Sequence, residues 1–153
     1  MKIERIYDLT EIKALATHPA IYDHISDDYF PEPKEWNPEY KSDVVYLLAS
    51  DDHGVFGFGI FMPRRWSLWE SHFGFLPRSS ASTAITAYQK MFDWMWEHTK
   101  AQRIVGEICA GNSKAVRFAL MVGAEIYGVN HASLLKHGRL HDQICLGVSK
   151  WAL

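Results

Sequence analysis

The sequence is short of cysteine and has no long apolar stretch. Only Cys109 and Cys145 occur in 153 residues, and their spacing is not that of metal ligands. As buried thiols they suit a reducing compartment. Apolar stretches reach only about ten residues, too few to span a membrane. Because residues 1–5 also lack the apolar core of a signal peptide, we expect a cytoplasmic protein without a membrane partner.

The sequence also has no large excess of positive or negative charge. The formal net charge is −2, and no basic run could follow a phosphate backbone, so nucleic acid is not expected as a partner. The eight histidines are scattered, without an H-E-x-x-H motif or a paired Cys/His spacing, so no metal site is expected. A serine hydrolase is disfavoured because the G-x-S-x-G elbow is missing.

The composition is that of one folded domain, taken as residues 1–153. Hydrophobic residues make up 48% and charged residues 22%, an ordinary globular balance. Aromatic residues are frequent at 14%, with six tryptophans. An aromatic excess is compatible with a thick core, a ligand groove or a homo-oligomer surface, and composition leaves all three open.

The first half of the sequence predicts two short helices followed by three strands. Leu9, Ile12, Leu15 and Ala16 recur at helical spacing, Pro19 interrupts, and a second short apolar face follows. The proline-rich stretch 27–40 predicts a loop. Strands are predicted at 44–48, 55–61 and 66–75, the first two joined through a turn at Gly54.

The second half predicts a helix, a strand, a second helix and further strands. Ser80 or Ser82 is a candidate N-cap for the first helix, and Asn112 caps the second, which ends at Gly123. The second helix is expected to face the core with Ala115, Val116, Ala119, Leu120 and Val122. Strands are predicted at 103–109, 125–129, 133–135 and 143–148. This order predicts an α/β (α+β) layered fold with a mixed sheet.

Three segments carry a resemblance to a known family. Residues 103–115 have the pattern of a strand leading into an N-x-x-A helix, residues 121–124 that of a helix ending in glycine, and residues 137–143 contain G-x-x-x-D. In this order they resemble the GNAT superfamily of N-acetyltransferases over about residues 40–150. The resemblance implies a mostly antiparallel central sheet with helices on both faces and a V-shaped splay between two strands.

A narrower resemblance involves two other segments. Residues 18–28 and 70–78 are similar to small GNAT-like proteins of tailed phages and prophages, some encoded among head-assembly and DNA-injection genes. It implies a phage-encoded protein in the host cytoplasm, with phage structural or assembly proteins as partners if the chain is not an enzyme.

The family resemblance also implies acetyl-CoA as a ligand. Strand-edge amides for pantetheine would come from Gly74, Phe75 and Leu76. The pyrophosphate would lie at a helix start, where backbone N–H groups and the helix dipole favour an anion. The matching loop contains Arg78, Ser79, Ser80, Ala81, Ser82 and Thr83. Ala81 and Thr83 occupy the two positions where the family has glycine. Asn112 would bond pantetheine, although an ordinary N-cap explains it equally well.

Catalytic residues are expected on the third predicted strand. Glu70 and His72 are two residues apart and share one face, so either could act as the base that takes the amine proton. The alternative is a structural polar pair or a buried, satisfied histidine. The usual tyrosine that serves the leaving thiolate is replaced by Ala119, for which Tyr127 or water could substitute. The implied function is acetyl transfer to an amine, and the alternative is a non-catalytic assembly protein of this fold.

Overall fold

The computed structural model describes residues 1–151. Four helices and seven strands form one layered unit with the strand order β1-β2-β3-β4-β5-β7-β6. The strands are β1 Lys2–Arg5, β2 Val45–Asp51, β3 Gly54–Pro63, β4 Leu68–Phe75, β5 Arg103–Cys109, β6 Glu125–Lys136 and β7 Arg139–Ser149. The helices are α1 Thr10–Ala16, α2 Pro19–Ile25, α3 Ala81–His98 and α4 Ser113–Val122.

The sheet is antiparallel except at the pair β4–β5, which is parallel. Helices α1 and α2 cover one face, where Ile12, Leu15 and Ile21 pack with Leu48 and Phe58. Helices α3 and α4 cover the other face through a core of their own. The predicted fold class, with a mixed sheet between two helical layers, is therefore confirmed. Within residues 1–151, no helix is long and apolar enough to cross a membrane.

The N-terminal part adds one strand that the sequence did not predict. Strand β1 is four residues long and contains a single well-placed apolar side chain, Ile3, so its alternation is too brief to recognise. It forms because β2 offers an antiparallel edge, with Ile3 opposite Ala49.

Pro19 does more than interrupt the helical pattern. It is the first residue of α2, where a missing N–H costs nothing, and the His18 ring accepts from the Ala20 N–H at 3.1 Å.

The hairpin β2–β3 has the predicted turn. Gly54 has a φ of +107°, which side-chain-bearing residues rarely adopt. A second glycine in β3 makes room for an aromatic ring: a Cβ on Gly57 would lie 2.2 Å from the Phe75 ring. Phe75 can therefore lie flat across β3, which fixes the end of β4 where the cleft described below begins.

The predicted helix limits are confirmed at three caps. The Ser80 hydroxyl accepts from the Thr83 amide, the Asn112 side chain accepts from the Ala115 amide, and Gly123 ends α4 with a φ of +108°. The inward face assigned to α4 is partly wrong. Leu120 is 45% exposed, because α4 lies at the margin of the sheet and buries only a narrow stripe that includes Ala119 and Val122.

Strand β6 corrects a second prediction. Residues 125–129 and 133–135 belong to one strand, which the register shift between Asn130 and Leu134 interrupts without ending. Ala132 has a φ of +48° at this irregularity, and its amide donates to the Asp142 carboxylate at 2.9 Å. The aspartate of the G-x-x-x-D segment thus stabilises a bulge in the neighbouring strand.

Candidate active site

Strands β4 and β5 part after three residue pairs. Leu68, Trp69 and Glu70 are opposite Arg103, Ile104 and Val105, and no pairing is present beyond Glu70 and Val105 in the described part of the chain. Strand β4 continues along β3 to Phe75, while β5 continues along β7 to Cys109. The predicted V-shaped splay is therefore present. It opens a cleft of about 800 Å³ that reaches both faces of the sheet.

The cleft is lined by most, but not all, of the residues predicted from the sequence. Those on its wall are His72, Gly74, Phe75, Leu76, Ser79, Ser80, Ala81 and Asn112. Glu70, Arg78, Ser82 and Thr83 lie close in sequence but are not among the lining residues. Eight of the twelve residues predicted for the site therefore line one cleft.

The open edge of β4 is defined by its pairing with β3. The Leu76 amide donates to the Phe56 carbonyl at 2.8 Å. Since backbone groups alternate between the two sides of a strand, the N–H and C=O of Phe73 and Phe75 face the gap. The roles predicted for the Gly74 and Leu76 amides are therefore wrong, because both residues turn their backbone groups toward β3, whereas the role predicted for Phe75 is compatible with its position.

The start of α3 is held by its own serines and threonine. The Ser80 hydroxyl accepts from the Thr83 amide at 3.1 Å and lies 2.9 Å from the Ser82 hydroxyl and 2.8 Å from the Thr83 hydroxyl. Ser80 thus satisfies one of the free N–H groups of the first turn. The amides of Ala81 and Ser82 have no carbonyl partner within the helix, because the first turn has no residues before it to supply one. They remain the donors for an anion.

Arg78 has a different role from the one predicted. Its guanidinium donates to both carboxylate oxygens of Asp51, at 3.0 and 3.1 Å, and to the Gly54 carbonyl at 2.7 Å. It also lies over the Phe56 ring, 5.4 Å from the ring centroid, within the limit of about 6 Å for a cation–π contact. The side chain clamps the β2–β3 turn to the end of β4. The prediction of a direct phosphate contact by Arg78 is corrected accordingly.

Glu70 and His72 contact each other on the face that α1 and α2 cover. Glu70 accepts from the Arg64 Nε–H at 2.7 Å, and its other oxygen lies 3.1 Å from His72 Nε2. The hydrogen bonds with His72 and Arg64, and the positive charge that each side chain can carry, lower the Glu70 pKa to about 2. Burial acts in the opposite direction. Glu70 therefore stays ionised at neutral pH and is a poor proton acceptor. His72, which lines the cleft, is the better placed of the two.

Two cleft residues escaped the sequence analysis as a functional pair. The Tyr88 hydroxyl of α3 donates to Ser71 Oγ of β4 at 2.7 Å, and burial raises the Tyr88 pKa far above its ordinary value. Neither residue belongs to a motif, and their contact joins positions 17 residues apart in the sequence. Glu107, which also lines the cleft, was missed for the same reason.

The position of the absent family tyrosine is apolar. Ala119 lines the cleft, and the neighbouring Phe118 packs against Phe73 with a ring-centroid distance of 5.3 Å. Tyr127, considered as a substitute, lies outside the cleft wall, where its ring stacks under Arg103 at 5.1 Å.

In residues 1–151, no group of three or more His, Cys, Asp or Glu side chains is arranged to hold a metal ion.

Comparison by sequence finds no matching family model and no matching curated protein. Comparison by structure finds clear similarities. Spermidine N-acetyltransferase from Vibrio cholerae, in complex with CoA and spermine, has a TM-score of 0.80 at 13% identity, over 97% of this chain and 95% of that one. Ribosomal-protein-S5-alanine acetyltransferase from Vibrio fischeri has a TM-score of 0.77 at 14% identity, over 98% and 93%.

A third structure names the superfamily. The GNAT superfamily phosphinothricin acetyltransferase from Sinorhizobium meliloti, in complex with acetyl-CoA, has a TM-score of 0.58 at 18% identity, over 69% of this chain and 60% of that one. These identities are too low to carry over a substrate. The structural similarity, with the splayed β4–β5 pair and the layered mixed sheet, shows that this chain has the GNAT fold.

Proposed function

We propose that the chain is an acyl-CoA-dependent acyltransferase that moves an acetyl group to an amine. The observation that carries the proposal is the β4–β5 cleft. Its pairing ends at Glu70, its β4 edge keeps unpaired backbone groups at Phe73 and Phe75, and its mouth lies at the start of α3. The three similar acetyltransferases, two of them described with CoA or acetyl-CoA, support the same choice of cosubstrate.

The residues present fit acetyl-CoA in two places. The free edge of β4 offers the N–H and C=O groups of Phe73 and Phe75 to the amides of pantetheine, which match a strand edge chemically. The amides of Ala81 and Ser82 at the start of α3 suit a pyrophosphate, whereas the Ser79 hydroxyl already donates to the Leu76 carbonyl. Asn112 lines the other side of the cleft and uses only its side-chain oxygen for capping, so its NH₂ group is left for the ligand.

His72 is the proposed base. Its Nε2 faces ionised Glu70, so that bond favours the tautomer with hydrogen on Nε2 and leaves the Nδ1 lone pair for the amine proton. Glu70, held in turn by Arg64, orients the ring and stabilises the imidazolium that forms. The carboxylate and the imidazole thus have separate roles, which the sequence could not distinguish.

The acceptor side of the cleft suits an amine. It is the side covered by α1 and α2, and its wall includes the aromatic rings of Phe30 and Trp36 and the carboxylates of Asp27 and Glu107. Aromatic faces and carboxylates both attract ammonium groups. Spermine in the Vibrio cholerae structure is an amine of this general kind, which supports an amine acceptor without naming it.

A non-catalytic role in phage assembly is the second candidate. The observation that favours it is the altered phosphate loop, where Arg78 is bound to Asp51 and Ser80 already caps the Thr83 amide. A protein that had lost its cosubstrate could keep the fold and bind assembly partners instead. This candidate predicts no affinity for acetyl-CoA.

The test measures acetyl transfer to a panel of amines, detected as the release of free CoA thiol. The proposal expects turnover that falls by at least about 100-fold in His72→Ala, the range for removal of a general base. His53→Ala is the matched control, because His53 lies in the β2–β3 turn away from the cleft. Equal rates for wild type and His72→Ala would show that His72 is not the base. No turnover with any amine would favour the second candidate, the non-catalytic assembly role.

A further inference from the structure

The vertex of the cleft contains a pair of hydroxyl groups, from the buried Tyr88 and the half-buried Ser71. Ser71 is the first β4 residue after the last pair with β5, so it lies where the two strands begin to separate. Tyr88 reaches it from α3, with 3% of its surface exposed, and donates to Ser71 Oγ at 2.7 Å. The surroundings are otherwise aromatic, with the rings of Phe73 and Phe92 4.3 and 4.5 Å from that of Tyr88.

The hydrogen atom of Ser71 has no good partner among the described residues. A hydroxyl has one donor and two acceptor lone pairs, and the Tyr88 hydroxyl uses one lone pair. The available acceptor is the Val105 carbonyl at 3.5 Å, the long limit of a hydrogen bond. Burial raises the pKa of Tyr88, so this residue keeps its proton, and its hydroxyl donates to Ser71 Oγ. Ser71 is therefore oriented to donate, and an acceptor entering the cleft would complete the pair.

Space for such an acceptor exists beside Ser71. Gly106 of β5 lies opposite, and a Cβ built on it would meet only Ser71 atoms within 4 Å, the carbonyl oxygen at 3.5 Å and Oγ at 3.9 Å. Both Ser71 and Gly106 line the cleft. The absence of a side chain at Gly106 leaves open the volume next to the serine hydroxyl.

We propose that Ser71, oriented by Tyr88, donates a hydrogen bond to the carbonyl oxygen of the acyl thioester. This inference rests on the proposed acyltransferase function. In the reaction, the amine nitrogen forms a bond to the carbonyl carbon and the C=O π electrons move to oxygen, where Ser71 stabilises the charge. The electrons then return, the C–S bond breaks, sulfur leaves as the thiolate and His72 takes the amine proton.

Ser71 and Tyr88 act as a chain of hydrogen-bond donors and not as a general acid. Tyr88 has a raised pKa, and an aliphatic hydroxyl is less acidic still, so neither would give its proton to a thiolate. A fixed donor near developing charge needs no proton transfer, and a chain of two hydroxyls strengthens the terminal hydrogen bond. Ser71 and Tyr88 therefore end the reaction as they began it.

The kinetic test compares four variants. Ser71→Ala should lower kcat about 100-fold, as removal of one oxyanion donor does, with the KM for acetyl-CoA unchanged. Ser71→Thr keeps the hydroxyl and should recover most of the rate, while Tyr88→Phe should cost about tenfold because it removes only the orienting bond. The double variant Ser71→Ala/Tyr88→Phe leaves no orphaned hydroxyl, so it keeps the fold and should match Ser71→Ala. Equal kcat for Ser71→Ala and wild type would overturn the inference.

An infrared measurement separates this inference from the function on which it rests. Acetyl-CoA labelled with ¹³C at the thioester carbonyl should show a lower carbonyl stretching frequency when bound to wild type than when bound to Ser71→Ala. Binding to both with the same frequency would overturn the role of Ser71 alone. Failure of wild type to bind acetyl-CoA would overturn the proposed function, and this inference with it.

Discussion

Replacing Glu70 by glutamine tests whether this carboxylate is held in place as a charge. Glu70 is bound between Arg64 and His72, with 21% of its side chain exposed. Its pKa is lowered in the folded protein, so the ionised form stabilises the fold above the ordinary pKa of 4.5 and loses that effect as the pH falls toward about 2. Glutamine keeps the shape and removes the charge.

The size of the effect follows from the pKa. A shift from 4.5 to about 2 sets a ceiling of about 3 kcal/mol at neutral pH. The partner side chains of Arg64 and His72 are 40% and 48% exposed, so solvent screens the interaction. We therefore expect Glu70→Gln to lower the free energy of unfolding by about 1–2 kcal/mol at pH 7, and by less than half of that at pH 3.

The assay is urea unfolding of both proteins at several pH values between about 3 and 7. Glu97→Gln on the exposed face of α3 is the control for loss of one negative charge. A Glu70→Gln protein as stable as wild type at pH 7, or a difference that grows as the pH falls, would refute the argument that Arg64 and His72 hold an ionised Glu70.

Three further predictions follow from the same contacts. Arg78→Met should lower the urea concentration at the unfolding midpoint, through loss of its contacts with Asp51, and leave the calorimetric affinity for acetyl-CoA unchanged. Asn112→Ala should cost about 1 kcal/mol in the same assay as an N-cap is lost, and Asn112→Ser should recover most of it. Ala81→Gly with Thr83→Gly should tighten acetyl-CoA by about tenfold or less, measured by calorimetry, as the backbone approaches the anion more closely. Weaker cofactor binding by Arg78→Met, or by the double glycine variant, would contradict these assignments.

Local chemistry explains what the sequence predicted well. Gly54 and Gly123 occupy positions with positive φ, and Ser80 and Asn112 satisfy amides three residues away, so each signal lies within a few residues of its effect. The strands β2 to β5 and both long helices follow from such signals and from apolar periodicity. The order of these elements, with the family resemblance, was enough to predict the splay between β4 and β5.

Contacts between distant residues explain what the sequence missed. Arg78 meets Asp51 across 27 residues, and Tyr88 meets Ser71 from another element. Strand β1 depends on the edge of β2, and β6 continues through a bulge because Asp142 of β7 holds the Ala132 amide. None of these partners can be read from spacing along one segment, which is why the cleft was found but the roles of Arg78, Leu76 and Ser71 were not.

Calorimetric titration of the wild-type chain with acetyl-CoA tests the central claim most directly, since every proposed role depends on a cosubstrate in the β4–β5 cleft. The account predicts saturable binding of one acetyl-CoA per chain, with a dissociation constant below about 1 mM. It also predicts that Gly106→Ala, which places a methyl group beside Ser71 without a clash, weakens that binding. No heat of binding at cofactor concentrations of about 1 mM, or binding indifferent to Gly106→Ala, would contradict it.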